Sequence, residues 1–454
     1  MPPAEKRPFD LVVIGATGFT GSLICEHIAR EYPTTKGLFK WAIAGRNRSK
    51  LESVKAQLAD IDPALADGLA VLTYDLSDQA SVDAVVGQAR VVVSAAGPFA
   101  RIGTPVVDAA VRLGTHYCDT TGEAPWIRRM IRTYQDAAVA AGVRLVPECG
   151  FDCVPQDMGV YLLAAEARRA QCTLGRVEGV LEDFGGGVSG GTVASALEFQ
   201  KEGTAELREF SQDPLYLVPE AAHSDVAARM RRRLPAEALL WTGRFPLSRL
   251  WTAPFIMATV TARTIYRSHV LGNEAYGARF SYAEAQAVGG RVGAFLGSVA
   301  FAVIGAMVTI PLLAPLTRFL APKPGSGPSL EQQLAGRMKY TFTGELVGGE
   351  GAARARGPAE APVLARASLV DSGRDPGYRS TARMALECAL CMVLEGTRLD
   401  AQAAEAGAPR GGFLTPASAF GDVLLGRMAA AGYKWRSEGP AGVSEVTAGI
   451  GVGR

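Results

Sequence analysis

The sequence has few of the residues that indicate a metal centre, a disulfide framework or a nucleic-acid surface. Its 454 residues include four histidines and seven scattered cysteines, and none of these stand at the spacing of a zinc site. The net charge of +2 excludes the strongly basic surface that nucleic acid requires. The opening MPPAEKRPFD has no apolar core of a secretory signal. We therefore expect a cytoplasmic protein with reduced thiols, no metal and no nucleic-acid partner.

The order of apolar runs and amphipathic stretches predicts the fold class. Residues 9–147 alternate short apolar strands with helices, and runs such as LVV and VVV have no polar interruption. Strands of this kind are buried on both faces of a parallel sheet that helices cover. We predict an α/β protein with an N-terminal Rossmann-type doubly wound parallel sheet in residues 1–155. A second α+β domain in residues 156–400 is expected to carry the substrate and any dimer contact.

A glycine-rich turn follows the first predicted strand and begins a helix. It reads Gly15-Ala16-Thr17-Gly18-Phe19-Thr20-Gly21. In a dinucleotide-binding fold the first glycine permits the tight turn, and the second lets the backbone approach the pyrophosphate. The third allows the helix and the strand to pack closely. The strand–turn–helix context favours a cofactor site at these seven residues over a purely structural turn.

The end of the second predicted strand lacks the carboxylate that an NAD-binding protein places on the ribose 2′-hydroxyl. The chain has Gly45 and Arg46 there, and Lys50 follows four residues later. A guanidinium forms a bidentate, charge-assisted pair with a phosphate, so these residues predict NADP(H) as the cofactor. The alternative, a plain surface charge at Arg46, leaves the missing acid unexplained.

Two further strand ends are predicted to contact the dinucleotide. Asp75 ends the third strand and is a candidate for the adenine edge or, alternatively, for a helix N-cap. Small residues end and follow the fourth strand at Ser94, Ala95, Gly97 and Pro98. We expect the nicotinamide ribose to lie against their backbone, in the crevice outside the carboxyl ends of the strands.

A long uncharged run lies far downstream of the glycine turn. The residues from 292 to 317 carry no charge and are flanked by arginines. The length suits a bilayer-crossing helix, but Pro311 and Pro315 interrupt its second half. We therefore predict a bent helix or hairpin at 292–318 that enters one leaflet of a membrane. The alternative is a buried core helix or a dimer helix.

Motifs along the whole chain resemble the saccharopine dehydrogenase-like oxidoreductases, and more closely their trans-acting enoyl reductase branch. Beyond GATGFTG and AGR, the matching stretches are GPF at 97–99, YCDTTGE at 117–123, ECGFDCVPQDMG at 148–159, GGGVSGGTVAS at 185–195, LWTAPFIMA at 250–258, APKPGSGPS at 321–329 and FLTPASAFGD at 413–422. They cover most of the chain in order, which makes the resemblance far more specific than the glycine turn alone.

The resemblance implies an NADP-dependent reductase that acts on a lipid or acyl intermediate. It also implies that residues 401–454 form a C-terminal helix region that packs back on the Rossmann domain. In eukaryotic relatives the apolar run is associated with lipid droplets or membranes, so the expected localisation extends to the periphery of such surfaces. An uncharged run suits an acyl-chain substrate better than the doubly charged amino acid of true saccharopine dehydrogenases.

Enoyl reduction needs a proton donor near the nicotinamide, on the loops that follow the fifth and sixth strands. Among the acids and hydroxyls there, we single out Asp152 and Tyr117 as proton donor or substrate anchor. A competing interpretation makes Asp152 a cap of the helix that starts near Pro155, and Tyr117 a core residue.

Two other functions stay open at this point. The protein is then either an imine or carbonyl reductase of a small amino-acid-like metabolite, or a non-catalytic NADPH-binding protein of lipid droplets or membranes. A homodimer is also expected, because Rossmann reductases often pair. Gly293 and Gly297 offer a small face on which two copies would pack closely.

Overall fold

Two β-sheets and the helices that cover them form the protein in a computed structural model. The structure describes residues 7–186, 203–218, 224–234, 242–310, 327–348, 362–440 and 442–447. Three features of the sequence analysis lie largely or wholly outside the described residues. They are the GGGVSGGTVAS match beyond its first two positions, most of APKPGSGPS, and the prolines Pro311 and Pro315.

The first sheet is parallel throughout and has seven strands within the described residues. They are β1 (Phe9–Ile14), β2 (Trp41–Gly45), β3 (Ala70–Thr73), β4 (Ala89–Ser94), β5 (His116–Asp119), β6 (Arg144–Val146) and β13 (Gly412–Phe413), in the spatial order β13-β6-β5-β4-β1-β2-β3. From β1 the sheet continues through β2 and β3 in one direction, and from β4 it continues through β5 and β6 in the other. The boundary between β1 and β4 is therefore the switch point of a doubly wound sheet. The predicted Rossmann-type sheet is confirmed.

Burial along β1 shows why this sequence forms a sheet covered on both faces. Leu11 and Val13 pack into one hydrophobic cluster, whereas Val12 and Ile14 pack into another on the opposite face. Successive strand residues point to opposite faces, so an unbroken apolar run requires helices on both. The helices of this part are α1 (Phe19–Glu31), α2 (Arg48–Ala59), α3 (Leu65–Gly68), α4 (Gln79–Val86), α5 (Phe99–Ile102), α6 (Thr104–Leu113) and α7 (Ala124–Ala140).

The second sheet is mixed and follows the first along the chain. Its strands are β7 (Thr173–Gly185), β8 (Gly243–Arg244), β9 (Trp251–Pro254), β10 (Ser281–Ala287), β11 (Arg337–Val347), β12 (Leu364–Ser372), β14 (Lys434–Gly439) and β15 (Gly442–Glu445), in the spatial order β15-β14-β12-β11-β7-β10-β9-β8. Only β7 and β10 pair in parallel among them. Polar and apolar residues alternate at the start of β11, where Arg337 and Lys339 are exposed and Met338 and Tyr340 are buried. This alternation is typical of a sheet with one solvated face.

The remaining helices of the described residues follow β6 in the chain. They are α8 (Val154–Arg169), α9 (Thr204–Gln212), α10 (Ser224–Arg233), α11 (Ala258–Leu271), α12 (Gly290–Thr309), α13 (Leu330–Leu334), α14 (Thr381–Leu394), α15 (Gly396–Glu405) and α16 (Pro416–Ala430). Helix α14 is buried and packs against α1, β4 and β5 of the first sheet. The C-terminal stretch contributes to both sheets, because β13 pairs with β6 whereas β14 pairs with β12.

Helix α12 lies on the outside of the second sheet, with its large apolar side chains in solvent. Phe295 is 68% exposed, and within the described residues α12 alone is long and apolar enough to span a bilayer by length and composition. The alternative of a buried core helix is therefore wrong for residues 290–310. A Cβ at Gly297 would stand 2.5 Å from the Ala253 Cβ, and one at Gly293 would stand 3.2 Å from the Val288 Cβ. The small face thus packs on the chain's own β9 region, and the homodimer stays a prediction.

Candidate functional site

The glycine turn is built so tightly that side chains cannot replace two of its glycines. Gly15 has a φ of +82°, and a Cβ there would lie 2.9 Å from the Ala96 backbone nitrogen. A Cβ at Gly21 would lie 2.1 Å from the Gly15 carbonyl oxygen. These contacts hold the ends of β1 and β4 and the start of α1 against one another, which is the cradle that a dinucleotide-binding turn requires.

The start of α1 is a helix end without a side-chain cap at this edge of the sheet. Gly18 precedes it and has no side chain with which to cap the first N–H groups. By contrast, the first turn of α2 is capped by Asn47, that of α4 by Asp78, and the N–H groups of Phe99 and Ala100 in α5 donate to Glu123. Uncapped N–H groups and the helix dipole favour an anion such as a pyrophosphate at α1.

The other residues of the turn have different surroundings. Ala16 is buried, Thr17 is exposed and Thr20 is half-buried. The Phe19 ring packs edge-on against Tyr378, with ring centroids 5.1 Å apart. A Cβ at Gly327 would stand 2.5 Å from that ring. The Phe19 side chain therefore joins the turn to the second half of the chain, while its backbone belongs to the first turn of α1.

The carboxyl end of β2 presents exposed cations. Gly45 is buried, and Arg46 and Lys50 are exposed. Arg46 forms no ion pair within the described residues, and it lies near enough to Tyr74 to act electrostatically on that phenol, whose pKa burial raises. An unpaired guanidinium at this strand end fits the 2′-phosphate of NADP. Asp75 is exposed, and its carboxylate accepts hydrogen bonds from the backbone and hydroxyl of Ser77, which lower its pKa.

Replacing Arg46 with aspartate is expected to invert the cofactor preference. The change removes the partner of the 2′-phosphate and places a carboxylate where it would accept from a ribose 2′-hydroxyl. We expect the ratio of the Kd values of NADPH and NADH to change by about 100-fold, measured by nucleotide fluorescence. Arg436→Asp, at an exposed position on β14, should leave the ratio unchanged. A retained preference for NADPH in Arg46→Asp would refute the assignment.

The carboxyl end of β4 has small residues beside the glycine turn. Ser94 is buried, Ala95 and Pro98 are half-buried, and Gly97 is exposed. The Ala95 N–H donates to the Ile14 carbonyl at 2.9 Å, which fixes the two strand ends side by side. The structure therefore brings the residues predicted at β1, β2 and β4 to one edge of the sheet. Backbone without large side chains at the β4 end leaves space for a ligand there.

Tyr117 lies inside the protein rather than on the crevice surface. Its side chain is 1% exposed, and its hydroxyl donates to Asp119 Oδ2 at 2.8 Å. Burial, followed by the Asp119 charge, raises the pKa of this phenol well above its usual value. Asp119 Oδ1 in turn accepts from the backbone N–H groups of Thr121 and Glu148 at 3.0 and 3.1 Å. Tyr117 and Asp119 thus tie the end of β5 to the end of β6.

Glu148 follows β6 in a strained conformation that the sequence does not reveal. Its φ is +62°, in the left-handed region that disfavours residues with a Cβ. Its Oε2 accepts from the Thr264 hydroxyl at 2.5 Å, while its Oε1 is buried without a hydrogen-bond partner in the described part of the chain. Burial raises the pKa of Glu148 to about 8. Strain and an unsatisfied buried oxygen are features that concentrate at functional sites.

Asp152 is the half-buried acid of the same loop. No described residue forms a hydrogen bond or ion pair with its carboxylate, and burial raises its pKa to about 6. The neighbouring helix α8 begins at Val154 and receives no side-chain cap. Asp152 therefore does not serve as the helix cap that the competing interpretation describes. A free carboxyl with a raised pKa is suited to proton transfer near neutral pH.

Helix α11 supports this loop from the second domain, and this role was missed in the sequence. Three of its hydroxyls donate to buried carboxylates: Thr261 to Glu284, Thr264 to Glu148 and Ser268 to Asp157. The Asp157 carboxylate also accepts from the Ala417 N–H at 2.8 Å, at the start of α16. The spacing of the three hydroxyls places them on one helix face. Their carboxylate partners lie elsewhere in the sequence, so the spacing of the hydroxyls alone does not reveal these contacts.

Comparison with known proteins shows what the chain is similar to. The profile of the saccharopine dehydrogenase NADP binding domain matches residues 11–146, which run from β1 to β6. The trans-acting enoyl reductase of Mycobacterium tuberculosis (strain ATCC 25618 / H37Rv) is 34% identical over 451 residues, which cover 95% of this chain and 98% of that protein. That of Mycobacterium leprae (strain TN) is 31% identical over 446 residues, which cover 94% and 97%.

The chain is also similar to a further mycobacterial protein and to a solved structure. A second protein of Mycobacterium tuberculosis, provisionally given the same name, is 36% identical over 447 residues, which cover 94% of this chain and 97% of that protein. Among solved structures, apo saccharopine dehydrogenase (L-Glu forming) from Saccharomyces cerevisiae aligns with a TM-score of 0.46 and 13% identity, over 94% of this chain and 98% of that one.

The sheet, the glycine turn and the matched NADP-binding domain define an NADP-dependent oxidoreductase of the saccharopine dehydrogenase-like class. The predicted cofactor is confirmed. Because relatives at 31–36% identity align over almost the whole chain, the chain belongs to the trans-acting enoyl reductase family. The resemblance predicted from the sequence motifs is confirmed as well.

Proposed function

We propose that the protein reduces an enoyl carbon–carbon double bond in a lipid or acyl substrate. The observation that carries the proposal is Asp152, a partly buried carboxyl that follows β6 at the carboxyl edge of the NADP-binding sheet and has no hydrogen-bond or ion-pair partner among the described residues. Reduction of a double bond requires a hydride and a proton, and the two sources stand at this same edge. The names of the relatives support the same chemistry.

The first sheet holds and orients the cofactor, which when bound supplies a hydride to the β-carbon of the enoyl group. The N–H groups at the start of α1 would hold the pyrophosphate, and Arg46 would pair with the 2′-phosphate. The residues from Ser94 to Pro98 leave the nicotinamide half of the crevice free of large side chains. This arrangement fixes the reacting carbons in one orientation, which lowers the barrier by avoiding an entropic cost.

Asp152 donates a proton to the α-carbon in this proposal. Its raised pKa of about 6 keeps a larger fraction of the carboxyl protonated near neutral pH than an ordinary aspartate has. Tyr117 acts as a positioning residue, because its hydroxyl is engaged with Asp119 inside the protein. The Asp119 carboxylate then holds the backbone at Glu148, four residues before Asp152. The contact at Glu148 thus helps to position the loop after β6, and Asp152 on that loop supplies the proton.

The exposed face of α12 supports a location at the periphery of a membrane or lipid droplet, in contact with the cytoplasm. Val292, Phe295, Leu296 and Val303 are all more than half exposed on a helix without charge between Arg291 and Thr309. Exposed apolar patches on a folded protein often mark sites of contact with a membrane or another protein. Insertion of this face into one leaflet would remove it from water and bring a lipid substrate to the protein.

The double variant Phe295→Asp/Val303→Asp is expected to bind neutral phosphatidylcholine vesicles at least about tenfold more weakly than the unaltered protein, because charged side chains resist burial in hydrocarbon. Co-sedimentation with vesicles measures the partition. Val443→Asp, at an exposed apolar position on β15, is the matched control and should bind as before. Equal partition of all three proteins would contradict the membrane role of α12.

The reaction itself is tested by following NADPH absorbance with purified protein and three substrates. Crotonyl and trans-2-hexadecenoyl thioesters represent enoyl groups, and a 2-oxo acid mixed with an amine represents an imine. We expect NADPH consumption with at least one thioester and a saturated acyl product by mass spectrometry. Consumption with the imine mixture alone would replace the proposal with a small-metabolite reductase. Nucleotide binding without consumption in any mixture would favour a non-catalytic protein.

A further inference from the structure

An aromatic cluster contains Phe151, which immediately precedes Asp152 in the chain. The ring of Phe151 lies 5.6 Å from that of Phe184, 6.5 Å from that of Phe255 and 6.3 Å from that of Tyr340, measured between centroids. Phe151 and Phe255 are buried, so the inner part of the cluster is a packed apolar wall. The residue before the proposed proton donor is thus part of an apolar wall on the side of the second sheet, to which Phe184 and Tyr340 belong.

The outer part of this cluster is exposed to solvent. Phe184 is 39% exposed, and Ile256, which follows Phe255 in the chain, is 46% exposed. Full burial of such a side chain contributes about 1.5–3 kcal/mol, so exposure next to a packed aromatic wall leaves a favourable contact unused. Exposed apolar surface beside a functional cleft is typical of a ligand-binding site.

The exposed residues lie between the cofactor turn and the loop at the end of β5. A Cβ at Gly186 would stand 3.2 Å from the Phe184 ring and 3.4 Å from Pro376 Cδ, and the nearby Tyr378 packs on Phe19 of the glycine turn. On the other side, Met257 Cε would stand 3.3 Å from a Cβ at Gly122, just after β5. These neighbours place the apolar surface near the carboxyl edge of the first sheet, where the proposed reaction takes place.

The segment that carries Ile256 follows the strand on which α12 packs. Strand β9 carries Ala253, against which α12 packs at Gly297, and the chain then runs directly into Phe255 and Ile256. The Arg291 guanidinium also lies over the Trp251 ring, 5.6 Å from its centroid. The strand that the inner, glycine-bearing face of α12 covers is thus followed in the chain by Phe255 and Ile256.

We infer that Phe184 and Ile256 form the mouth of an apolar site that holds the acyl chain of the substrate, with Phe151 and Phe255 as its inner wall. The inference rests on the proposed function in that it places the enoyl end of the chain beside Asp152. Hydrocarbon is the ligand that matches a site without charged groups among these four side chains.

Acyl-chain binding is measured directly, without turnover, by calorimetric titration of NADP⁺-saturated protein with palmitoyl-CoA and with butyryl-CoA. We expect the unaltered protein to bind the long chain more tightly. Phe184→Asp and Ile256→Asp should each raise the Kd of palmitoyl-CoA at least about tenfold and leave those of butyryl-CoA and NADPH unchanged. Val443→Asp is the control for an exposed apolar position away from the cleft.

The outcomes separate this inference from the proposed reaction. Equal affinity for the two chain lengths in the unaltered protein would overturn the acyl site, as would wild-type affinity for palmitoyl-CoA in both cleft variants. If long-chain binding depends on Phe184 and Ile256 but no thioester is ever reduced, the acyl site stands and the proposed reaction fails. If thioesters are reduced without any effect of these two residues, the reaction stands and the acyl site fails.

Discussion

Replacing Asp152 with asparagine is expected to lower kcat for enoyl reduction by about 100- to 10,000-fold, the range over which a positioned general acid contributes to catalysis. Asparagine has the same shape but cannot deliver a proton of comparable acidity. Because Asp152 has no hydrogen-bond or ion-pair partner in the described structure, its replacement should leave the fold and the Kd of NADPH unchanged. Steady-state kinetics at saturating NADPH measure the first quantity, and nucleotide fluorescence measures the second.

A matched control for this variant is Asp60→Asn, which changes an exposed aspartate after α2. It should retain the kcat of the unaltered protein. A kcat of Asp152→Asn within about threefold of the unaltered protein would remove Asp152 from the mechanism, since loss of a general acid costs at least about 100-fold. A fall in kcat accompanied by weaker NADPH binding would indicate a structural role instead.

The pH dependence of kcat distinguishes Asp152 from Glu148 as the donor. A general acid acts in its protonated form, so activity falls as pH rises through its pKa. With Asp152 as the donor, whose pKa is about 6, kcat should decline above about pH 6. With Glu148, whose pKa is about 8, the decline would begin near pH 8. A decline near pH 8 that disappears in Glu148→Gln would transfer the role to Glu148.

The second large effect is expected in the stability of Glu148→Gln relative to the unaltered protein. Burial raises the pKa of Glu148 from 4.5 to about 8 in the folded state, so the folded protein holds a proton that the unfolded chain has released. The stabilisation is fully present below about pH 4.5 and is lost as pH rises to about 8, at about 1.4 kcal/mol per pH unit. Glutamine is neutral throughout and removes this loss.

Urea unfolding between pH 5 and pH 8 measures the effect as a slope. The free energy of unfolding of Glu148→Gln should rise relative to that of the unaltered protein with each unit of pH. Asp119 and Asp157 also have raised pKa values, of about 7 and about 6, so both proteins retain some loss at alkaline pH. Glu405→Gln, at an exposed position of α15, should run parallel to the unaltered protein. If the free energy of unfolding of Glu148→Gln changes with pH as that of the unaltered protein does, the raised pKa assigned to the buried Glu148 is contradicted.

The cofactor half of the site was predictable because each position has a local physical reason. Gly15 needs a positive φ, and Gly21 meets the backbone of its own turn, so a short stretch of sequence contains the whole constraint. Arg46 was identified because the end of β2 lacks an acidic residue. This inference also needs only local sequence, since recognising β2 is enough to locate the position. The positions of the strands along the chain followed from unbroken apolar runs in the same way.

The catalytic half was less predictable because its partners are far apart in the chain. The hydrogen bond between Glu148 and Thr264 joins residues 116 positions apart, and the strain at Glu148 arises from that packing. Tyr117 and Asp119 are two residues apart on one strand and face the same side, so their contact was open to sequence reasoning. The pairing of β13 with β6 brings a stretch near the C-terminus into the first sheet, and no local pattern indicates it.

The most direct test of the central claim is the fate of the hydride from NADPH that is dideuterated at the nicotinamide C4, in a reaction with a trans-2-enoyl thioester. Mass spectrometry of the product locates the label. We predict a saturated acyl chain with a single deuterium on its β-carbon, formed by the unaltered protein and at a strongly reduced rate by Asp152→Asn. An unchanged enoyl thioester, with deuterium found only in an amine or alcohol formed from an imine or carbonyl substrate, would contradict the account.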